Sequence, residues 1–124
     1  GLAALAGGMQ RLPRQIGMKN ALGMMLTGRH VPAEEGMRLG FVNEVVEPEN
    51  LLTAEKAWAK QIEECSPMSI RATQQVAYEN FNEPELEKSM GVHYSAVKEL
   101  FGSEDFIEGP VAFAEKRLPN WKGK

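Results

Sequence analysis

The stretch L-T-G-R-H-V-P-A-E-E-G-M-R-L-G-F-V-N-E-V-V-E-P, Leu26 to Pro48, decides the reading of the fold, because it ends one helix, builds a second and offers one strand-like segment. Leu26 and Thr27 close an apolar run that stops at Gly28, the residue type that tolerates the left-handed turn of a helix C-cap. Pro32 and Ala33 open a short amphipathic helix. Glu34 and Glu35 fall in its first turn, where the helix dipole favours negative charge, and Gly40 ends it. Phe41 to Glu47, FVNEVVE, is rich in branched apolar residues and bounded by Gly40 and Pro48, which predicts the chain's one short strand. A strand cannot stand alone, so its partner belongs to a short hairpin, a missing segment or another chain.

Upstream, Gly1 to Gly8 is almost entirely glycine, alanine and leucine, suited to close backbone approach at a turn or helix entrance. Met9 to Ile16 predicts a helix of two turns at most, interrupted by Pro13 and stopped at Gly17. Met18 to Thr27 carries Ala21, Leu22, Met24, Met25 and Leu26 with few polar positions and reads as a buried helix.

Downstream of Pro48 the sequence is helical almost to its end. Leu51, Trp58, Ile62 and Cys65 fall near one face of a long helix, with Glu55, Lys56, Lys60 and Glu64 on the others. Ser66 and Pro67 pair as N-cap and first-turn residue of the next helix, which carries Ile70, Ala77 and Phe81. A third helix is predicted from Pro84. Its Leu86, Met90, His93, Val97 and Leu100 recur at intervals of 4, 3, 4 and 3, close to a coiled-coil seam. The last helix is expected to start at Pro110, after a break at Gly109, and to run through Phe113 to Arg117 before Pro119.

The 124 residues allow one modest domain or a piece of a larger one, and 43% hydrophobic with 25% charged residues is ordinary globular composition. A net charge of -3 and few aromatics offer no field for a phosphate backbone, which argues against nucleic-acid partners. The absence of a leader-like or long apolar run argues against a membrane span, and a single cysteine points to the reducing cytoplasm. Cys65 sits on the apolar stripe and reads as a buried structural thiol. His30 and His93 are far apart, without a partner at metal-ligand spacing, and read as structural. Glu34, Glu35, Glu63 and Glu64 lie at surface-facing helical positions and read as solvated charge rather than catalytic acids. The seven methionines read as core or interface filling.

Three segments in order carry a resemblance. G-L-A-A-L-A-G-G-M-Q-R-L-P-R-Q-I-G, Gly1 to Gly17, is similar to G-x-x-P-x-x-G-G-x-x-R-L-x-R-x-x-G of the enoyl-CoA hydratase/isomerase, or crotonase, superfamily. Leu26 to Val46 resembles that family's L-T-G-x-x-x-x-A-x-E-A-x-x-x-G-L-V-x-x-V-V. Ala112 to Trp121, A-F-A-E-K-R-L-P-N-W, resembles its C-terminal A-F-x-E-K-R-x-P-x-F/W.

The resemblance implies the C-terminal half of a subunit: mainly α with one short β element, the helical portion of a crotonase-type α/β fold. Residues 1–47 would be the end of a spiral core with a glycine-rich active-site turn, and 48–124 a helical trimerisation region. In that family two backbone N–H groups hold the thioester oxygen of an acyl-CoA so that enolate charge meets preorganised donors, and hydratases add two glutamates that handle water and proton. Family spacing would put those glutamates about four and about twenty-four residues ahead of Gly1, and the oxyanion donors also lie outside the chain. No catalytic residue is therefore assigned, and the chain alone is expected to be inactive. No cofactor is implied, since coenzyme A arrives with the acyl-CoA substrate, and the full-length parent would be a homo-oligomer, a trimer or a hexamer.

Three residues remain as substrate-binding candidates by the same resemblance. Leu5 lies in the turn whose amides help hold the nucleophilic water; Ala4 stands in place of the usual proline and Leu5 in place of a frequent glycine, so the N–H of residue 5 survives but its bulkier side chain crowds that pocket. Gly7 and Gly8 serve either that turn or a helix start beside packed structure. Phe113 and Lys116 match positions where an aromatic ring and an ammonium approach the CoA adenine and phosphates. Phe113 also fits core packing in an amphipathic helix. Two other readings stay open. One is a self-associating helical module built on Trp58, Phe81 and Met90. The other is a helical acyl-CoA-binding protein using Lys116.

Overall fold

The computed structural model describes residues 1–124. Eight α-helices follow one another: α1 Gly8–Ile16, α2 Met18–Thr27, α3 Ala33–Leu39, α4 Leu51–Glu63, α5 Pro67–Asn80, α6 Leu86–Gly91, α7 Ser95–Phe101 and α8 Glu104–Glu115. A 3₁₀ turn, Pro48–Asn50, leads into α4. The chain divides into two compact units, Gly1–Leu51 and Leu52–Lys124.

In the first unit glycine sets the helix ends. Gly17 (φ 79°) separates α1 from α2, Gly28 (φ 63°) closes α2 by donating its N–H to Met24 O, and Gly40 (φ 90°) closes α3 by donating to Gly36 O and Met37 O. Pro13 does not limit α1 to two turns; the helix carries it in its interior for nine residues. α1 and α2 pack against each other around Ile16 and Ala21, the unit's buried apolar residues. The expectation that α2 is core holds only for Ala21, because Leu22 and Leu26 are exposed.

The expected strand over Phe41–Glu47 is not formed: residues 41–47 are irregular, and the protein contains no strand. Two causes are visible. The N–H groups of Phe41 and Val42 turn back to Gly36 O (3.1 and 3.3 Å), and the chain supplies no second extended segment to complete a ladder. The mainly α class stands and the β element does not.

In the second unit Ser66 caps α5 by accepting from the N–H groups of Met68 and Ser69 (3.1 and 3.3 Å), as the Ser-Pro pair suggests. The single helix expected beyond Pro84 is two, broken at Val92–Tyr94. The break follows from packing. Tyr94 is buried, its hydroxyl donates to Ser89 O and receives the Asn80 amide, and α7 starts afresh with the Ala96 N–H donating to Gln75 Oε1 of α5 (2.8 Å). The last helix starts at Glu104 rather than Pro110. Ser103 caps it by accepting from the Phe106 N–H (3.1 Å), so Gly109 and Pro110 lie inside α8.

The core is thin. Met68, Ala72, Tyr94 and Ala112 are the buried apolar residues of the second unit, whereas Leu52, Trp58, Ile62, Phe81 and Met90 all lie open. Cys65, expected to be buried, is exposed. The stripe it shares with Trp58 and Ile62 lines an open groove between α4 and α5, with Ile70 and Thr73 on the far wall.

Candidate functional site

α8 and the chain after it form the most heavily bonded part of the protein. Asp105, in the first turn of α8, is 2% exposed. Its carboxylate receives the Ser66 hydroxyl (2.7 Å) and the backbone N–H groups of Lys122 (2.6 Å) and Gly123 (3.2 Å). Burial pushes this carboxyl up. The N–H of Lys122, the Ser66 hydroxyl, the N–H of Gly123 and the charge of Arg71 outweigh it and hold Asp105 below the usual carboxylate range. Trp121 donates its indole N–H to Glu64 O (2.8 Å) at the end of α4 and lays its ring beside Gly109, where a Cβ would stand 3.3 Å from it. Arg71 donates to Gly123 O (3.1 Å), and the Glu104 N–H to Lys124 O (2.8 Å).

One helical turn further on, Glu108 receives both terminal nitrogens of Arg117 (2.6 and 3.0 Å) and the Asn120 N–H (2.6 Å). The Arg117 guanidinium foremost, then the Asn120 N–H, pulls the Glu108 carboxyl down to about 2. Arg117 also donates to Glu115 (2.6 Å), and the two carboxylates raise its own affinity for its proton.

Lys116 sits between Glu115 and Arg117 as the C-cap of α8, with φ 55° and ψ 39°, and donates its N–H to Phe113 O (3.2 Å). The next N–H, of Arg117, reaches Ala112 O (3.0 Å), completing a Schellman-type end in which lysine occupies the usual glycine position. Lys116 is exposed and forms no ion pair. The expectation that Phe113 packs in a core fails: Ala112 takes the inward position and the Phe113 ring is 87% exposed. Lys116 and Phe113 thus both lie exposed at the C-terminal end of α8, three residues apart in the chain. Such a pair can meet a phosphate and a flat heterocycle.

Leu5, in the other unit, is 74% exposed in the turn before α1. Its N–H donates to Ala3 O (2.7 Å) and is engaged within the turn, while the N–H groups of Ala6, Gly7 and Gly8 have no backbone acceptor. The glycines have local reasons. Gly7 adopts φ 95° with the Arg11 guanidinium folded over it, where a Cβ would lie 2.6 Å from Nη2, and a Cβ on Gly8 would meet that of Ala4 at 2.8 Å.

The glutamates set aside from catalysis behave as structural or solvent groups. Glu35 binds Arg29 through both oxygens (2.9 and 2.5 Å), a contact that lowers its pKa, and Glu34, Glu63 and Glu64 are exposed. His30 and His93 are likewise exposed. Sequence reasoning missed Asp105, Glu108 and Arg117. Ser103 ahead of two acidic residues was the available cap signal, hidden by the Gly109-Pro110 pair.

The family profile described as enoyl-CoA hydratase/isomerase matches residues 1–124. Carnitinyl-CoA dehydratase of Escherichia coli strain K12 is 38% identical over 131 residues, covering 100% of this chain and 49% of the relative. The Salmonella arizonae protein of the same name is 36% identical, covering 99% and 48%. Among solved structures, enoyl-CoA hydratase EchA1 from Mycobacterium marinum superposes with a TM-score of 0.91 at 36% identity, covering all of this chain and 49% of that one. Enoyl-CoA hydratase from Bacillus anthracis gives 0.92 at 31% identity, covering 100% and 48%. The chain spans about half the length of the relatives it matches. On the match along its whole length, it belongs to the enoyl-CoA hydratase/isomerase family.

Proposed function

We propose that the chain is the C-terminal, helix-rich part of an enzyme that hydrates or isomerises acyl-CoA thioesters through a stabilised enolate, and that alone it supplies assembly and CoA-covering surface without catalysis. The observation that carries this reading is the pairing of exposed Phe113 with unpaired Lys116 at the end of α8. A compact ammonium suits a phosphate, and a bare ring suits the adenine beside it. The order of the three family-like segments supports the C-terminal placement. Leu5 belongs to this proposal as the residue crowding the water-holding turn. Its N–H must leave Ala3 O before it can hold water. In the whole enzyme the exposed helix faces would be covered within a homo-oligomer, a trimer or a hexamer, in the cytoplasm.

Titration calorimetry with CoA and dephospho-CoA tests the reading. Tighter binding of CoA, with the difference removed in Lys116→Ala, is expected; equal or absent binding overturns the phosphate contact. The chain alone is expected to leave the absorbance of crotonyl-CoA unchanged, and measurable turnover would refute its inactivity.

A second reading rests on Trp58, Phe81 and Met90, which are 43, 56 and 77% exposed and would be covered if copies of the chain associated through them. It makes the chain a self-associating module. Light scattering over a concentration series decides, since a monomer at every concentration would remove it.

A further inference from the structure

Lys116 is the only non-glycine residue of the chain with positive φ. At the other left-handed helix ends, after α2 and α3, the chain places Gly28 and Gly40, which adopt this backbone freely. A side chain at this position is strained, and strain persists only where surrounding contacts over-determine it. Those contacts are identifiable. Glu108 grips the guanidinium of the next residue at 2.6 and 3.0 Å and also receives the Asn120 N–H, fixing the chain on the far side of Lys116. Glu115, the acid adjacent to Lys116, is occupied by Arg117. The same arrangement therefore holds the backbone that follows the left-handed turn and leaves the lysine ammonium without an ion pair, three residues from the exposed Phe113.

We infer that Glu108, through Arg117, is a positioning residue that holds Lys116 in its strained turn so that its ammonium meets a phosphate monoester. The inference rests on the reading of Lys116 as a CoA phosphate contact. It adds that the turn is kept against the chain's own stability, with lysine standing where glycine would be more stable.

The test compares the wild-type chain with Lys116→Gly, Glu108→Gln and Glu108→Asp in three measurements: melting temperature, affinity for CoA against dephospho-CoA, and the HN–Hα coupling and carbon shifts of Lys116, which report a left-handed φ. Lys116→Gly is expected to melt about 4 °C higher and to lose the preference for CoA. Glu108→Gln is expected to lose the left-handed signature and to bind CoA about tenfold more weakly. Glu108→Asp should recover part of both. A lower melting temperature for Lys116→Gly, or a Glu108→Gln chain with unchanged signature and preference, overturns the inference. Equal wild-type affinity for the two ligands removes the phosphate reading beneath it, and that failure is recognisable because the signature would still be lost in Glu108→Gln.

Discussion

Replacing Asp105 with alanine should release the chain's last residues and loosen two helix starts at once. Three donors lose their acceptor: the Ser66 hydroxyl at 2.7 Å and the N–H groups of Lys122 and Gly123 at 2.6 and 3.2 Å. The Ser66 arm is buried, and a hydrogen bond to a charged group there is worth about 2 kcal/mol; the two tail N–H groups can find water and contribute less, so a total near 3 kcal/mol is expected. Asparagine keeps one acceptor oxygen and should cost about half as much. The pH dependence has a definite sign. The folded-state pKa of Asp105 lies below its unfolded value, so its contribution is complete above about pH 4 and is lost as pH falls through the folded value. The gap between wild type and Asp105→Asn should therefore narrow in acid. Urea unfolding followed by tryptophan emission and circular dichroism at pH 7 and pH 3 measures it. An alanine variant within about 0.5 kcal/mol of wild type, or a gap unchanged between the two pH values, would refute the reasoning.

Two further outcomes follow from the same structure. Gly40→Ala places a side chain at φ 90° where the Cβ meets nothing within 4 Å, so its cost is backbone strain alone, about 1 kcal/mol, read as a lower urea midpoint. Cys65 is exposed and should react with a thiol reagent in the folded chain at a rate close to that in denaturant; strong protection in the native state would contradict the open α4–α5 groove.

Local chemistry was legible in the sequence, and long-range packing was not. Gly28, Gly40 and the Ser66-Pro67 pair mark their helix ends correctly because a cap depends on the few residues around it. Gly109-Pro110 misled, since the ring that packs on Gly109 belongs to Trp121, beyond the end of the helix. The seam from Leu86 to Leu100 is regular in sequence, yet burial of Tyr94 against α5 interrupts it, and periodicity carries no record of that partner. FVNEVVE has strand composition and lacks a ladder, which is a property of what lies beside it. At the candidate site the Phe113 and Lys116 positions came from resemblance. The Glu108–Arg117 pair that fixes their surroundings links residues nine apart across a turn no local rule foresaw.

The clasp around Asp105 also sets the order in which this unit can be completed during synthesis. Its donors come from Ser66 and from Lys122 and Gly123, and Trp121 reaches back 57 residues to Glu64. While residue 123 is still inside the ribosomal tunnel, the start of α5 and the start of α8 are not yet joined to the tail. The nascent chain thus emerges with these two helix starts unlatched, open to non-native contacts until the residues of the clasp have left the tunnel.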